Sequence, residues 1–166
     1  MRIAQHWLAG CAGITILGFA ASAPAIDLTG SWTGMTQCTS FLQTLVKSRG
    51  PNANLQILQV DNPTSINDDV FMQLDGGPLL HGVVFKDFND SNKGAVAFTE
   101  CGTSSALTGS NSLGQAKVST GKRARFLATV VHAAGTGNNP VSWVETCRLT
   151  LTRTSTAAPS LPTLCP

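Results

Sequence analysis

Residues 141–153 alternate apolar and polar side chains with a period of two, and this alternation constrains the fold more than any other feature. The period is that of a half-buried β-strand. Residues 123–132 alternate in the same way, with Ala124, Phe126, Ala128 and Val130 on one face. No sustained helical period appears after residue 25. The apolar face of the later run consists of Val141, Trp143, Cys147, Leu149 and Leu151.

Similar short runs recur between Gly-, Asn-, Asp- and Pro-rich turns, and they predict about eight to ten strands. We therefore expect an all-β domain over residues 26–155. The predicted architecture is an antiparallel up-and-down β-barrel, with a two-sheet β-sandwich as the alternative. The barrel is favoured because a closed sheet leaves no edge strand to aggregate. Closure would pair the first strand with the last and bring Cys38 close to the final strand.

Turn-forming residues set the expected strand boundaries. Residues 48–52 contain Gly, Pro and Asn and read as a turn. Residues 102–114 are predicted to form an exposed polar loop, and residues 133–140 a Gly/Asn-rich loop. Between these, strands are expected at 26–38, 41–48, 55–60, 68–75, 79–88, 94–101, 115–119, 123–132 and 141–153.

The first 25 residues have the features of a secretory signal peptide. Arg2 supplies the positive charge, residues 7–19 are apolar, and small residues precede a predicted cleavage after Ala25. The apolar run is too short for a transmembrane helix. Leu8 to Cys11 spell a lipobox, but most of the apolar segment follows the cysteine, so lipoprotein processing is not favoured. The predicted location is secreted or periplasmic.

Four cysteines follow the leader: Cys38, Cys101, Cys147 and Cys165. An even number in an exported chain predicts two disulfides, and the sequence leaves all three pairings open. Cys165 is expected to pin the Pro/Ser/Thr-rich tail of residues 156–166 to the barrel. No C-x-x-C pair occurs, so the signatures of a zinc knuckle, a thioredoxin-like site and a c-type haem site are missing. We expect no cofactor.

The charge balance argues against a nucleic-acid partner or an acidic membrane surface. The formal net charge is +2, and only 12% of the residues are charged. Such a chain has little electrostatic attraction for polyanions. Lys122, Arg123 and Arg125 form the one basic cluster, and no aromatic residues are interleaved with them for base stacking. We interpret this cluster as a solvated hairpin edge.

The segment Leu28-Thr29-Gly30-Ser31-Trp32-Thr33 resembles the first strand of avidin-type barrels, and its Gly30-x-Trp32 resembles the opening motif of lipocalins. Both are secreted calycin-type barrels that hold small ligands in the barrel mouth. The resemblance covers this strand, and no ligand-binding residue is carried over from either family. The overall layout is also similar to that of small secreted bacterial β-proteins of uncharacterised function.

Four residues are candidates for ligand binding: Trp32, Glu100, Trp143 and Glu145. Glu145 shares the inward parity of Cys147, and Glu100 shares parity with Phe98. Two inward carboxylates would bind a cation or a polar ligand, or perform acid/base chemistry. A single bulge would turn either side chain outward, and an inward Glu can instead pair with an Arg.

The remaining polar residues are interpreted as structural. His81 and His132 have no Cys or acid at metal-ligand spacing. The turn Asp87–Asn92 lacks the Gly and Glu positions of an EF-hand loop. No G-x-S-x-G elbow is present. The sequence therefore predicts no catalytic residue and no metal site.

These observations favour a non-catalytic exported module that acts through surface or protein contacts, with a small-ligand carrier as the alternative. The barrel interior distinguishes the two. Filling by Trp32, Trp143, Phe98 and Phe126 would make a solid core, whereas a cavity of several hundred cubic ångströms would indicate a carrier. An enzyme would require a His within hydrogen-bond reach of a Ser or an acid in a cleft.

Overall fold

Eight antiparallel strands close into one barrel in chain order, with β8 returning to pair with β1. The computed structural model describes residues 26–41, 45–102, 110–136 and 139–165. The leader, residues 1–25, is outside this range. The predicted up-and-down barrel is confirmed, and the sandwich is not formed. The strands are β1 (Gly30–Phe41), β2 (Leu45–Val60), β3 (Asp68–Leu74), β4 (Leu79–Lys86), β5 (Lys93–Glu100), β6 (Ser110–Ser119), β7 (Arg125–Thr136) and β8 (Asn139–Ser155).

Both disulfides form. Cys38 on β1 lies directly opposite Cys147 on β8, and their bond crosses the seam that closes the barrel. Cys101, just after β5, is bonded to Cys165 in the C-terminal tail. Disulfides of this kind fit an extracellular or periplasmic protein. Within the described ranges, no helix is long and apolar enough to cross a membrane.

The turn predicted at residues 48–52 is wrong, because these residues lie inside β2. The register changes from Gly34 opposite Ala53 to Thr36 opposite Gly50, so Pro51 and Asn52 share one position opposite Met35. This is a β-bulge. The extra residue of a bulge is left unpaired, so the ladder tolerates a proline, which has no amide hydrogen to donate. Gly, Pro and Asn are therefore used here to bend a long strand rather than to reverse the chain.

Three further boundaries differ from the prediction. Residues 26–29 are not part of the first strand, which begins at Gly30 with φ +134°. Residues 110–114 belong to β6 rather than to a loop, and the described ends of β7 and β8 extend into residues 133–140. Small and polar residues obscure the alternation at residues 110–114 and 133–140, whereas residues 26–29 alternate apolar and polar side chains although they lie outside β1. Residues 103–109 and 137–138 lie outside the described ranges.

The lower end of the barrel, where residues 26–29 and the β2–β3, β4–β5 and β6–β7 connections lie, is filled. Trp32 is fully buried, its ring centroid is 6.0 Å from that of Phe126, and its Nε1 donates to the Leu28 carbonyl at 3.0 Å. The Arg153 guanidinium covers the Trp32 ring at 4.8 Å. Burial lowers the pKa of Arg153 from its ordinary value, and the charge of Asp27 opposes that shift.

Residues 26–29 cap this end because Gln59 holds them there. The Gln59 side chain donates to the Ile26 carbonyl at 2.8 Å and accepts from the Leu28 amide at 2.9 Å. Gln59 also donates to Asp68 at 2.7 Å, and Lys86 pairs with Asp68 at 3.1 Å. Ile26 and Leu28 are buried as a result. The described part of the chain therefore has a sealed lower end, which leaves the upper half of the interior as the place for a ligand.

A candidate ligand site in the upper half of the barrel

The upper half of the interior contains a cavity of about 110 Å³. By upper half we mean the interior toward the β3–β4 turn and the C-terminal ends of β1, β5 and β7. Ten of the lining residues are apolar, and Ser112 is the polar one among them. The apolar lining consists of Leu55, Met72, Leu74, Pro78, Leu80, Phe98, Phe126, Ala128, Val130 and Leu149.

The cavity arises because the inward positions of β6 and β7 carry small residues here. Gly114 and Ala128 lie at levels where bulkier side chains would cross the barrel. A Cβ atom on Gly114 would lie only 2.5 Å from Cζ of Phe98. The outer edge of the Phe98 ring therefore lies against the Gly114 backbone rather than against a side chain. The Phe98 ring forms a wall of the cavity, and small residues opposite it leave the space unfilled.

Five polar residues lie at one level of five adjacent strands in the upper half, and we call them the polar row: Glu100, Ser112, His132, Glu145 and Ser40. Of these, Ser112 lines the cavity. The strand register places Ser112 opposite His132, His132 opposite Glu145, and Glu145 opposite Ser40. The last β5–β6 pair is Thr99 opposite Leu113, so Glu100 and Ser112 take the next position along that ladder. Inward parity thus brings together residues that are far apart in the chain.

Hydrogen bonds join most of the polar row. Ser112 Oγ lies 2.7 Å from His132 Nδ1, and the imidazole tautomer determines which of the two atoms donates. Ser40 Oγ donates to Glu145 Oε1 at 2.6 Å. Each of these contacts links neighbouring strands at one level of the barrel. Together they form a polar level in the upper half of the barrel.

Glu100 differs from the rest of the polar row. Its Oε2 atom is buried and has no hydrogen-bond partner. A buried polar atom without a partner costs about 1–3 kcal/mol, and more when the group is charged. Glu100 pairs in the sheet with Leu80 and follows Phe98 by two residues, and both of these line the cavity. Glu100 therefore offers an unused acceptor next to two residues that line the cavity.

The structure separates the four residues predicted from the sequence. Glu100 and Glu145 both lie in the polar row. Trp32 lies at the lower end, beneath the cavity and outside its lining. The backbone of Trp143 pairs with Ala134 on β7, and its side chain is outside the described part of the structure. The four residues therefore do not form one site, and ligand contact by any of them stays a prediction.

Ser112 and His132 were missed as site residues. Ser112 fell within the polar stretch interpreted as a loop, and His132 was interpreted as a structural residue at a strand end. The available signal was parity, because Ser112 shares the inward face of Ala116 and Val118 once β6 is extended to residue 110. His132 follows Val130 on the inward face of β7 in the same way.

Two other polar groupings bear on metal binding. Single ligand atoms of Cys38, Glu145 and Cys147 lie within 4.8 Å of one another, but both sulfurs are used in the disulfide. In the turn at residues 87–92, aspartate side chains accept from backbone amides two residues ahead. A hydrogen bond from Lys93 lowers the pKa of Asp90 there. The aspartates of this turn thus have structural partners.

No protein-family model matches this sequence, and a search of curated proteins finds no significant relative.

Proposed function

We propose that the chain is an exported, non-catalytic binding protein that carries a small, mostly apolar ligand in the upper half of its barrel. The cavity of about 110 Å³ supports this proposal. An apolar cavity of about 150 Å³ in another protein stays dry and binds benzene. The present cavity is smaller than the several hundred cubic ångströms expected for a typical carrier, so it suits a compact ligand or the apolar end of a longer one.

Export is part of the proposal. A signal peptide over residues 1–25, cut after Ala25, would leave Ile26 as the first residue of the cap at the lower end. That position is compatible with the fold, because Ile26 is buried and its carbonyl accepts a hydrogen bond from Gln59. Sequencing the N-terminus of the exported protein is expected to give Ile-Asp-Leu-Thr. An N-terminus at Cys11 would contradict this and indicate lipoprotein processing.

Binding is tested with matched alanine variants on β7 and β5. Ala128 lines the cavity, whereas Ala97 is exposed on the outside of the barrel. We expect calorimetry to detect binding of a benzene-sized apolar probe to the unaltered protein and to Ala97→Leu. Ala128→Leu should abolish binding, because the longer side chain occupies the cavity. If the probe fails to bind the unaltered protein, or binds Ala128→Leu equally well, the carrier proposal is wrong.

We favour binding over catalysis although Ser112 and His132 are within hydrogen-bond distance. Such a pair is the first requirement for a nucleophilic serine. A carboxylate at Glu100, beside Ser112 in the polar row, would oppose the oxyanion that forms during acyl transfer. We expect hydrolysis of p-nitrophenyl acetate to be the same for the unaltered protein and Ser112→Ala. A Ser112-dependent rate would overturn the non-catalytic assignment.

A second candidate function is a module that acts through protein contacts on its outer surface. Phe85 and Leu127 are 47% and 43% exposed on the outside of the barrel, around the small residues Ala95 and Ala97. Exposed apolar patches of this kind mark interaction surfaces. Sedimentation of the unaltered protein and of the Phe85→Ser variant tests this candidate. If Phe85 belongs to a contact surface, the unaltered protein should associate and the variant should not.

A further inference from the structure

We infer that the ligand is a small organic ammonium ion whose apolar body occupies the cavity and whose cationic nitrogen donates to Glu100 Oε2. This inference rests on the carrier function proposed above and specifies its ligand. It starts from the one buried carboxylate oxygen of the polar row that has no hydrogen-bond partner. A hydrogen-bond donor on the ligand would remove the free-energy cost of this unsatisfied oxygen, and that gain would contribute to the binding free energy.

The position of Glu100 suits a ligand with an apolar body and a polar head. Leu80 is its partner across the β4–β5 ladder, and Phe98 precedes it by two residues on the same face. Both residues line the cavity, as does Ser112 on the other side of Glu100. A compact apolar group that fills the space between Leu80 and Phe98 would thus have its head group at Glu100.

The charges around the cavity favour a cation over an anion. The polar row carries two carboxylates, of which Glu145 already accepts from Ser40. Among the described side chains, the lysines and arginines lie elsewhere. Lys117, Arg125 and Arg148 are exposed on the outside of the barrel, and Lys86, Lys93 and Arg153 lie at the lower end. An anionic ligand would meet the Glu100 carboxylate, whose buried Oε2 atom has no partner, whereas an ammonium forms a charge-assisted hydrogen bond with it.

Three probes with the same ring test the inference by titration calorimetry at pH 7: cyclopentylamine, cyclopentanol and cyclopentanecarboxylate. We expect the amine to bind at least about tenfold more tightly than the alcohol, since hydrogen bonds to charged groups are roughly twice as strong as neutral ones. The carboxylate should not bind. Glu100→Gln should weaken amine binding by about tenfold and leave alcohol binding unchanged.

Asp75→Asn is the matched control, because Asp75 is an exposed acid at the same end of the barrel. Its side chain accepts from the Asn54 amide and its φ is 50°, and asparagine tolerates both. This variant should bind the amine as the unaltered protein does. Thermal melting of each variant confirms that it is folded.

The outcomes separate this inference from the carrier proposal. Equal binding of the amine and the alcohol, or tighter binding of the carboxylate, would overturn the ammonium ligand and leave the carrier function standing. Loss of amine binding in Glu145→Gln but not in Glu100→Gln would overturn the role of Glu100. Failure of all three probes and of the benzene-sized probe would overturn both proposals.

Discussion

At the lower end of the barrel, Trp32 packs between Phe126 and the Arg153 guanidinium, whereas at the upper end Phe98 faces the bare backbone of Gly114. The same eight strands enclose both regions. Large side chains fill the first, whereas in the second Gly114 and Ala128 leave space between the larger lining residues. The lower half thus contributes mainly to stability, and the upper half has room for a ligand. Substitutions in the lower half should therefore change mainly the free energy of unfolding, and those in the upper half mainly ligand binding.

The difference between the two ends explains how a small barrel can hold a ligand without losing its core. The most deeply buried large side chains include Trp32, Ile26 and Leu28 at the lower end, and Phe126, which packs against Trp32 and also lines the cavity. Hydrophobic stabilisation is proportional to the apolar area that leaves water. The packed lower end offsets the cost of the unfilled cavity and of the unpaired Glu100 Oε2 atom in the upper half.

The largest expected effect is that of Trp32→Ala. Removing the indole should lower the free energy of unfolding by about 3–5 kcal/mol, since it opens a cavity in packed surroundings. It also removes the hydrogen bond to Leu28 and the stacking surface for Arg153. Met35→Ala, on the outer face of the same strand where Met35 is 44% exposed, should change the free energy by less than about 1 kcal/mol. Urea unfolding measures both values, and similar losses would contradict a filled lower half.

The two disulfides should differ in their effect on the barrel. Replacing Cys38 and Cys147 together by Ala should lower the free energy of unfolding by about 2–4 kcal/mol, because this bond closes a long loop across the β1–β8 seam. Replacing Cys101 and Cys165 should cost less, since it frees the mostly exposed tail in the folded protein as well. Unfolding without reductant compares the two double variants. A larger loss from the tail pair would show that the tail is integral to the barrel.

Gly114→Ala should have an intermediate effect on the free energy of unfolding and should also weaken probe binding. The added Cβ would press on the Phe98 ring and lie 2.7 Å from the Thr129 carbonyl, so the ring must move toward the cavity. Overpacking of this kind costs about 1–3 kcal/mol. Gly121→Ala is the control, because nothing lies within 4 Å of its Cβ position. Urea unfolding measures stability and calorimetry measures probe binding, and a variant that keeps both would contradict the packing described here.

The strand alternation predicts an all-β barrel or sandwich, and the need to avoid exposed edge strands favours the barrel, which is confirmed. The pairing of the first and last strands and the position of Cys38 beside β8 follow from that closure and are confirmed as well. The alternation was insufficient where a residue type has two structural uses. Gly50 and Pro51 have a turn composition, yet the bulge opposite Met35 keeps them in β2. The bulge depends on pairing with a strand distant in the sequence, which local composition does not report.

The candidate site was half predictable for a related reason. Inward parity placed Glu100 and Glu145 in the interior because their neighbours on the strand are apolar. Ser112 has a polar, glycine-rich neighbourhood, so its inward position became visible only through its pairing with His132. The cavity was not predictable at all, since its size depends on where Phe98 lies relative to Gly114 across the β5–β6 ladder.

The smallest expected effect on stability is that of Glu100→Gln, and its sign is the sharpest test of the upper half. Glu100 is half-buried, and removing the charge of a carboxylate whose buried Oε2 atom has no partner should leave the free energy of unfolding unchanged or raise it by up to about 1 kcal/mol. Glu145→Gln should lower it by about 1 kcal/mol, because the charge-assisted hydrogen bond from Ser40 becomes a neutral one. Urea unfolding at pH 7 of both variants decides the matter. If Glu100→Gln were the more destabilising of the two, Glu100 would be a structural residue and not an acceptor left for a ligand.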